Sequence, residues 1–378
     1  MTEERKAPVI RFKEFLDDVW QKRKLEECTE IFAGGDIDKS KLLNNGEYPV
    51  IANALTNDGI IGYYNDSFRI EAPAVTVTGR GNVGVAKARN VNFTPVVRLL
   101  SLKSDYDVIF LENAINTQNI VIESTGVPQL TVPQLGSYKI FFPSLPEQRA
   151  IGSFFQDLDK LITLQQRKLE KSRRIKKSML QKMFPEKKQT VPAIRFKEFL
   201  DDVWKKRKLE EVAEITMGQS PNSENYTDNP SDYILVQGNA DMKDGKVFPR
   251  VWTTQVTKQG KEGDLILSVR APVGDIGKTD YNVVLGRGVA AIRGDEFIFQ
   301  TLSKMKQNGY WNNLSTGSTF ESINSNDIKS ATIPLPSPPE QKVIGSFFQV
   351  LDKFIALQQR RLDKLQNMKK ALLEQMMM

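Results

Sequence analysis

The sequence contains one long amphipathic segment twice, and this repeat limits the folds open to the chain more than any other feature. The first copy, residues 146–183, has one glycine and no proline after its first residue. Its apolar residues recur at the three-and-four spacing of a helix. Residues 340–364 match residues 147–171 at 18 of 25 positions. A helix of this length spans about 55 Å, more than a compact domain needs. We therefore expect the two helices to pack on each other.

A second repeat opens each half of the chain. Residues 8–27 and 192–211 match at 18 of 20 positions, and each copy places Phe, Leu, Val and Trp among charged residues. A basic cluster follows in both copies, at Lys22–Lys24 and Lys205–Lys208. The pattern predicts a short helix or turn that anchors the start of each half, with the basic cluster at its edge.

The inserts between anchor and long helix differ in kind from both. Residues 28–145 and 212–338 hold short β-branched runs separated by Gly, Pro, Asn and Asp, which is typical of strands and turns. The clearest predicted strands are residues 74–78, 96–100, 264–269 and 282–285. Turns are predicted at 44–46, 57–59 and 243–245, and helices at 107–116 and 296–307. The order is anchor, insert and long helix, twice over.

These patterns divide the chain into five parts. A first mainly-β domain covers residues 1–145, and a first long helix covers residues 146–184. Residues 185–191 are a linker. A second mainly-β domain then covers residues 192–338, and a second long helix covers residues 339–378. The fold class is α+β with an internal repeat.

The two inserts resemble each other only faintly. Residues 78–84 correspond to residues 269–277, and Ser124–Gly126 corresponds to Ser315–Gly317. The flanks match closely while the inserts have diverged. The simplest explanation is that the flanks meet the same partner surface twice, while each insert meets something different. The alternative is that the flanks change slowly because they pack on one another.

The helix pair has a predicted seam. Aligning the two copies gives a 3-4-3-4 apolar spacing in both helices, which is the spacing of a coiled coil. Pseudo-twofold symmetry between the repeats makes the expected pair antiparallel. The seam residues are Phe155, Leu158, Ile162, Gln165, Leu169, Phe348, Leu351, Ile355, Gln358 and Leu362. The glutamines within this seam cost stability but can fix the register.

Charge and composition limit the function classes. The net charge of +7 and the pI of about 9.2 favour a polyanionic partner, although many basic proteins bind none. The single cysteine, Cys28, fits a reducing cytosol. With no histidine, the chain lacks the commonest general base and the usual zinc sites. No signal core or membrane-length apolar run is visible, so we expect a cytoplasmic protein.

Motifs for catalysis are weak or missing. Gly79-Arg-Gly-Asn-Val-Gly84 has the glycine spacing of a dinucleotide site, but the residues after it are typical of a strand and not of the helix such a site needs. Asp228-Asn-Pro-Ser231 only partly matches the loop of amino-methyltransferases, because the second proline and the aromatic residue are missing. No phosphate-binding GxxxxGK[ST] motif and no nuclease-like carboxylate set are present. We expect a non-catalytic chain without cofactor or metal.

The inserts offer side chains that bind base edges. Arg, Lys, Asn and Gln residues lie on or beside glycine-containing loops, and these are the residue types that read DNA grooves. The candidates are Arg80, Asn82, Lys87 and Arg89 in the first insert, and Gln237, Asn239, Arg270, Lys278 and Arg287 in the second. Any one of them could instead be an ordinary solvated surface residue.

The whole organisation resembles the specificity (S) subunit of Type I restriction–modification enzymes. The resemblance is carried by the Arg-Phe-x-x-Phe openings at Arg11 and Arg195, by the Glu-Gln-x-x-Ile helix starts at Glu147 and Glu340, and by the proline-containing strands before them. It implies two target recognition domains that bind the halves of a split, asymmetric DNA site, with an antiparallel coiled-coil spacer that sets their separation.

The resemblance also implies partners. Two copies of a modification (adenine methyltransferase) subunit would dock on the repeated regions, and an ATP-dependent restriction subunit would join them. S-adenosylmethionine, ATP and Mg would belong to those partners. Two other hypotheses stay open at this point. One is a protein–protein adaptor whose inserts bind peptides or carbohydrate, and the other is a methyltransferase or nuclease in its own right.

Overall fold

The computed structural model describes residues 8–118, 120, 128–186, 189–314 and 321–377. Two segments paired in the sequence comparison, Ser124–Gly126 and Ser315–Gly317, lie outside these residues, as do two residues of the expected linker. The chain forms two compact units. Unit 1 comprises Met1–Gln166 and Arg361–Met378, and unit 2 comprises Arg167–Arg360. The division falls inside both long helices.

Unit 1 is built on short strands followed by the first long helix. Its strands are β1 (Gln21–Lys24), β2 (Glu30–Ala33), β3 (Tyr48–Ile51), β4 (Ile60–Tyr64), β5 (Ala74–Thr78), β6 (Ala86–Arg89), β7 (Thr94–Pro95), β8 (Leu99–Lys103) and β9 (Lys139–Phe142). Its helices are α1 (Leu25–Cys28), α2 (Val108–Asn116), α3 (Val132–Ser137) and the start of α4 (Leu145–Lys182). The sheet orders are β2-β8-β5-β6, β4-β3-β7 and β1-β9.

Unit 2 has the same plan with additional strands. Its strands are β10 (Lys205–Lys208), β11 (Glu214–Met217), β12 (Tyr226–Thr227), β13 (Tyr233–Val236), β14 (Met242–Lys243), β15 (Lys246–Val247), β16 (Trp252–Thr253), β17 (Lys258–Gly260), β18 (Leu265–Ser268), β19 (Ile276–Lys278), β20 (Val283–Leu285), β21 (Val289–Arg293) and β22 (Thr332–Leu335). Its helices are α5 (Glu296–Gln307), α6 (Ser325–Lys329) and most of α7 (Pro338–Met376). The sheet orders are β11-β21-β18-β19-β15-β14, β12-β16-β13-β20-β17 and β10-β22.

Strand register makes the shared strands of the two units equivalent residue by residue. Antiparallel β1 and β9 pair Gln21 with Phe142, and antiparallel β10 and β22 pair Lys205 with Leu335. The same correspondence holds for β2–β8 and β11–β21, and for the parallel pairs β3–β7 and β13–β20. The central strand β5 is buried along its whole length because a neighbouring strand lies on each side and helix α2 packs against it. The repeat therefore extends through inserts that the sequences scarcely match.

Most expected elements are confirmed. Residues 74–78 form β5, and Asp107 is the N-cap of α2, where its carboxylate accepts hydrogen bonds from the amides of Ile109 and Phe110. The prediction that a strand starts at residue 96 was wrong, because Arg98 adopts a φ of 72° and β8 begins only at Leu99. The basic clusters form β1 and β10, and each ends at the N-cap of a short helix, Lys24 for α1 and Lys208 for the 3-10 helix Leu209–Glu211.

Each unit contains an antiparallel stretch of the helix pair. In unit 1, Lys369 Nζ lies 2.6 Å from Asp159 Oδ1, and Met376 joins the core that contains Phe155 and Leu158. In unit 2, Lys176 Nζ lies 2.5 Å from Asp352 Oδ1. The stretches of α4 and α7 within each unit therefore run antiparallel. The fold class, α+β with mainly-β domains and long antiparallel helices, is confirmed.

The predicted seam faces inward. Six of its residues are buried, namely Phe155, Leu158, Leu169, Phe348, Gln358 and Leu362. The other four are half-buried, namely Ile162, Gln165, Leu351 and Ile355. This burial fits an amphipathic helix whose apolar stripe is covered. A register-fixing role for the two glutamines stays a prediction.

Candidate nucleic-acid interface

Two exposed arginines occupy the same place in the two units. Arg80 directly follows Gly79 at the end of β5, and Arg270 follows Val269 at the end of β18. Each arginine forms an isolated backbone bridge to a later segment, Arg80 with Gln129 and Arg270 with Ser322. The backbone at each arginine is therefore held by a second segment of the chain, while the arginine is exposed to solvent.

The loop of Arg80 packs against a neighbouring turn in unit 1. The amide of Gly79 donates a 2.8 Å hydrogen bond to Asn53 Oδ1, and a Cβ on Gly79 would overlap the carbonyl oxygen of Arg98. Only glycine therefore permits this close approach. Three segments converge here, and they bring Asn53, Arg80 and the half-buried Arg98 together. Asn82 is exposed on the same loop.

Unit 2 brings a different set to the same position. The amide of Val269 donates a 2.8 Å hydrogen bond to the carbonyl of Gly288, and a Cβ on Gly288 would overlap the carbonyl oxygen of Gln237. The loops that carry Gln237, Arg270 and the exposed Arg287 therefore meet. Asn239, half-buried, begins the short 3-10 helix Asn239–Asp241 that follows β13.

Three of the expected DNA-binding residues have partners inside their own unit. Lys87 forms an ion pair with Asp58. Arg89 donates 3.0 Å hydrogen bonds to Thr76 Oγ1 and to the carbonyl of Asp58. Lys278 lies 2.6 Å from Glu296 Oε2 and 5.6 Å from the ring centre of Phe299. These contacts make the three cations less available to a ligand than Arg80 and Arg270.

The electrostatics of the Lys87 cluster follow from these contacts. The hydrogen bond from Lys87 lowers the pKa of the Asp58 carboxyl. Burial lowers the pKa of Arg89, although the charge of Asp58 opposes this effect. Asp58 therefore balances one of the two cations in this cluster, and both cations are held by contacts within the unit, which is typical of a structural role.

The sequence prediction missed Asn53 and Arg98. Neither residue lies near a glycine in the sequence, and the positive φ of Arg98 is a conformation that arginine rarely adopts. A comparison of β8 with β21 in the folded structure identifies Arg98, because Arg98 and Gly288 hold equivalent positions one residue before those strands. The sequence of unit 1 carries no such signal.

A second repeated feature is the junction of anchor and long helix. Arg11 forms a bidentate ion pair with Glu147 at 2.8 and 2.7 Å, and Trp20 Nε1 donates to the same carboxylate at 3.1 Å. Arg195, Trp204 and Glu340 repeat this arrangement at 2.9, 2.7 and 3.0 Å. The flanks thus pack on one another in each unit, and this packing explains at least part of their close match.

The anchors nevertheless keep large apolar side chains in solvent. Leu16 is 61% exposed and Val19 is 73% exposed, and their counterparts Leu200 and Val203 are 61% and 69% exposed. The long helices repeat the pattern with Leu161 and Leu164 on α4 and Phe354 and Leu357 on α7. Exposed apolar patches of this kind mark interaction sites. Packing within the unit does not explain these positions.

The described ranges show neither a metal cluster nor a membrane span. Across residues 8–118, 120, 128–186, 189–314 and 321–377, no group of three or more Cys, Asp or Glu side chains is placed to hold a metal ion. Within those same ranges, no helix is both long enough and apolar enough to cross a membrane.

Together these features define a class. Two β-rich units of one plan, each with an exposed arginine on a loop bridged to a second segment and each joined to a long helix, constitute a tandem-repeat protein. Comparison with known sequences then identifies the family. The family model described as "Type I restriction modification DNA specificity domain" matches residues 17–172 and 201–367, so the chain belongs to that family.

Individual relatives agree with this assignment. The chain is 29% identical to the specificity subunit of the type I restriction enzyme MjaX from Methanocaldococcus jannaschii, over 71% of this chain and 66% of the relative. It is 30% identical to a type I specificity subunit from Mycoplasma pneumoniae, over 30% of this chain and 31% of that protein. Both alignments cover less than two thirds of the relative. The solved S subunit from M. genitalium has the same fold, with a TM-score of 0.71 over 98% of this chain and 99% of that one at 14% identity.

Proposed function

We propose that this chain is the DNA sequence-recognition subunit of a Type I restriction–modification complex. The observation that carries the proposal is the equivalent placement of Arg80 and Arg270, exposed on loops that a second segment of the chain holds in place. Arginine is the side chain that most often reads guanine in the major groove. The net charge of +7 supplies the long-range attraction to phosphates.

The proposed DNA site has two unlike halves. Asn53, Asn82 and Arg98 accompany Arg80, whereas Gln237, Asn239 and Arg287 accompany Arg270. Side chains that differ in length and in donor pattern read different base edges. One scaffold used twice with different side chains therefore favours a bipartite, asymmetric site. That the helix pair sets the spacer between the halves stays a prediction.

Two copies of the modification (adenine methyltransferase) subunit are the proposed protein partners. Each copy would cover one of the repeated apolar surfaces, because two equivalent surfaces on one chain suit two copies of one protein. A restriction subunit would complete the complex, and catalysis with S-adenosylmethionine, ATP and Mg would belong to the partners. A cytoplasmic location follows from this proposal. Family membership supports it, and so does a solved homologous chain whose report concerns complex assembly of the type I system.

Selection from random duplex DNA tests the recognition role. We expect the chain, assembled with its modification subunits, to enrich two short unlike motifs separated by a fixed number of unspecified base pairs. Binding should weaken steeply with added salt because phosphate contacts release counterions. If no motif is enriched while the chain still binds peptides or carbohydrate, the adaptor hypothesis replaces this one.

Charged substitutions on one anchor test the docking surfaces. Leu16→Glu with Val19→Glu should reduce the complex from two modification subunits to one, and Leu200→Glu with Val203→Glu should do the same at the other surface. Combining all four should leave the chain without a bound modification subunit. Each site is solvent-exposed, so folding stability should change little. Native mass spectrometry of the purified complex measures the stoichiometry.

The control for this experiment is Val91→Glu. Val91 is 55% exposed and lies on an insert, outside the repeated segments. The Val91→Glu variant should still bind two modification subunits. A two-to-one complex that survives all four anchor substitutions would show that the modification subunits dock elsewhere.

A further inference from the structure

Unit 2 contains an open cavity of about 420 Å³ beside the start of its second long helix. The residues that line it are Val212, Arg293, Gly294, Asp295, Ile298, Leu335 and Gln341. The walls thus combine aliphatic surface with an amide, a guanidinium and the carboxylate of Asp295, which accepts a 3.0 Å hydrogen bond from the amide of Ile298. Arg293 is already held by Glu214 at 2.8 Å and lies 3.5 Å from Asp264, so it belongs to the wall and is not a free charge.

The equivalent place in unit 1 is filled by a tyrosine of the chain itself. Strand register makes Cys28 the counterpart of Val212 and Phe142 the counterpart of Leu335. Tyr106 lies against Phe142 with a ring-centre distance of 4.7 Å, and its hydroxyl accepts a 3.2 Å hydrogen bond from Arg23 Nη1. The ring is half-buried and packs against the core of unit 1.

Loop length explains the difference. Three residues separate Lys103 at the end of β8 from Asp107, the N-cap of α2, and Tyr106 is one of them. Between Arg293 at the end of β21 and Asp295, the N-cap of α5, there is only Gly294. The shorter loop has no side chain to occupy the space. The strand and helix that frame it are otherwise retained, so the space stays open.

The arginine that bonds the tyrosine, and a glutamine that bonds the tyrosine loop, both have counterparts in unit 2. Arg207 is the counterpart of Arg23, is exposed, and lies 3.9 Å from Glu211. Gln341 is the counterpart of Gln148, and each donates a 2.9 Å hydrogen bond to the carbonyl of a preceding proline. In unit 1 the Gln148 side-chain oxygen accepts a bond from the amide of Asp107, on the longer loop. In unit 2 Gln341 is one of the residues that line the cavity.

We propose that the cavity of unit 2 binds a phenolic ring supplied from outside the chain. The ring would lie against Leu335 and Val212, and its hydroxyl would extend past the lining residues toward Arg207, the counterpart of the arginine that donates to Tyr106. A volume of this size holds an aromatic ring with room for its approach. The two units therefore differ at this place. Unit 1 carries its own phenolic ring, Tyr106, and unit 2 would bind one from outside the chain.

Binding of p-cresol, the tyrosine side-chain analogue, tests this proposal on the full chain. Ligand-observed NMR and a crystal soak should locate one p-cresol per chain in the unit 2 cavity. Replacing Gly294 with Ser-Asp-Tyr, the loop sequence of unit 1, should reduce the affinity at least tenfold because the grafted ring fills the space. Tyr106→Ala should add a second p-cresol site in unit 1. Cyclohexanol, which has the hydroxyl but lacks the aromatic face, should bind more weakly.

The outcomes separate clearly. Absence of p-cresol binding, or equal binding to the loop-graft variant and to the natural chain, overturns the proposal even if Tyr106→Ala fails to fold. Location of p-cresol elsewhere overturns it as well. Repeating the titration on the assembled complex distinguishes the two sources of the ring. Loss of p-cresol binding there assigns the site to a side chain of a bound partner, and retained binding assigns it to a free phenolic compound.

Discussion

Glu147→Ala is expected to destabilise unit 1 by about 3–5 kcal/mol, the usual cost of leaving one member of a buried ion pair without its partner. Glu147 is fully buried, and the side chain of Arg11 is 4% exposed. Without the carboxylate, the guanidinium loses two hydrogen bonds and Trp20 Nε1 loses its acceptor. Arg11 would keep only its bonds to the carbonyls of Leu16 and Asp18. Denaturant unfolding monitored by tryptophan fluorescence measures the change.

The repeat supplies an internal replicate. Glu340→Ala should cost unit 2 a similar amount, because Arg195 and Trp204 make the same bonds to Glu340. The exposed pair of Lys160 and Asp157 is the control, and Asp157→Ala should change the free energy of unfolding too little to measure. Replacing both partners, with Arg11→Met and Glu147→Leu, should recover much of the loss because no buried charge is left unpaired. A loss below about 1 kcal/mol for Glu147→Ala would contradict the buried-pair interpretation.

Arg80→Ala and Arg270→Ala are expected to weaken binding to the full DNA site, each by about ten- to a hundredfold. One good bidentate contact to a base contributes about 1–3 kcal/mol of discrimination. Each substitution should relax the sequence requirement in one half of the bipartite motif and leave the other half unchanged, because the two arginines belong to different units. Fluorescence anisotropy with oligonucleotides altered in either half measures both effects.

Lys87→Ala serves as the matched control for these arginines. Lys87 lies on β6 in the same unit as Arg80, but it is paired with Asp58. Its loss should weaken binding little and without regard to sequence. If Arg80→Ala instead lowers affinity equally for every DNA sequence, the arginine contacts phosphate and other side chains read the bases. If neither arginine affects DNA binding, the equivalent loops are not the recognition surface.

Much of the architecture was predictable because it depends on local patterns. The 3.6-residue periodicity of the long helices, the N-cap at Asp107 and the β-branched run at residues 74–78 each specify an element within a few turns of chain. The strand from residue 96 failed for a local reason that the sequence does not show. Val97 and Arg98 form a turn there, with Arg98 in a left-handed conformation, and the packing of Gly79 against the Arg98 carbonyl holds that turn.

The candidate site was predictable only in part. Arg80 and Arg270 were found because glycines or a proline stand beside them, and these residues indicate a tight loop. Lys87, Arg89 and Lys278 looked equally suitable, yet each has a partner from a distant part of the chain. Such pairing depends on which strands become neighbours. Asn53 and Arg98 were missed for the same reason.

The sequence by itself determined the repeat, the amphipathic helices, the basic charge and the membership of a DNA-specificity family, because periodicity, identity and composition are properties of the chain in order. Only the tertiary structure decided that Glu147 and Glu340 anchor the flanks, that Lys87, Arg89 and Lys278 are held by partners within their own unit, and that Tyr106 fills in one unit a space left open in the other. These depend on contacts between residues far apart in the chain. Burial and pairing energies at such contacts arise only once the strands and helices are packed.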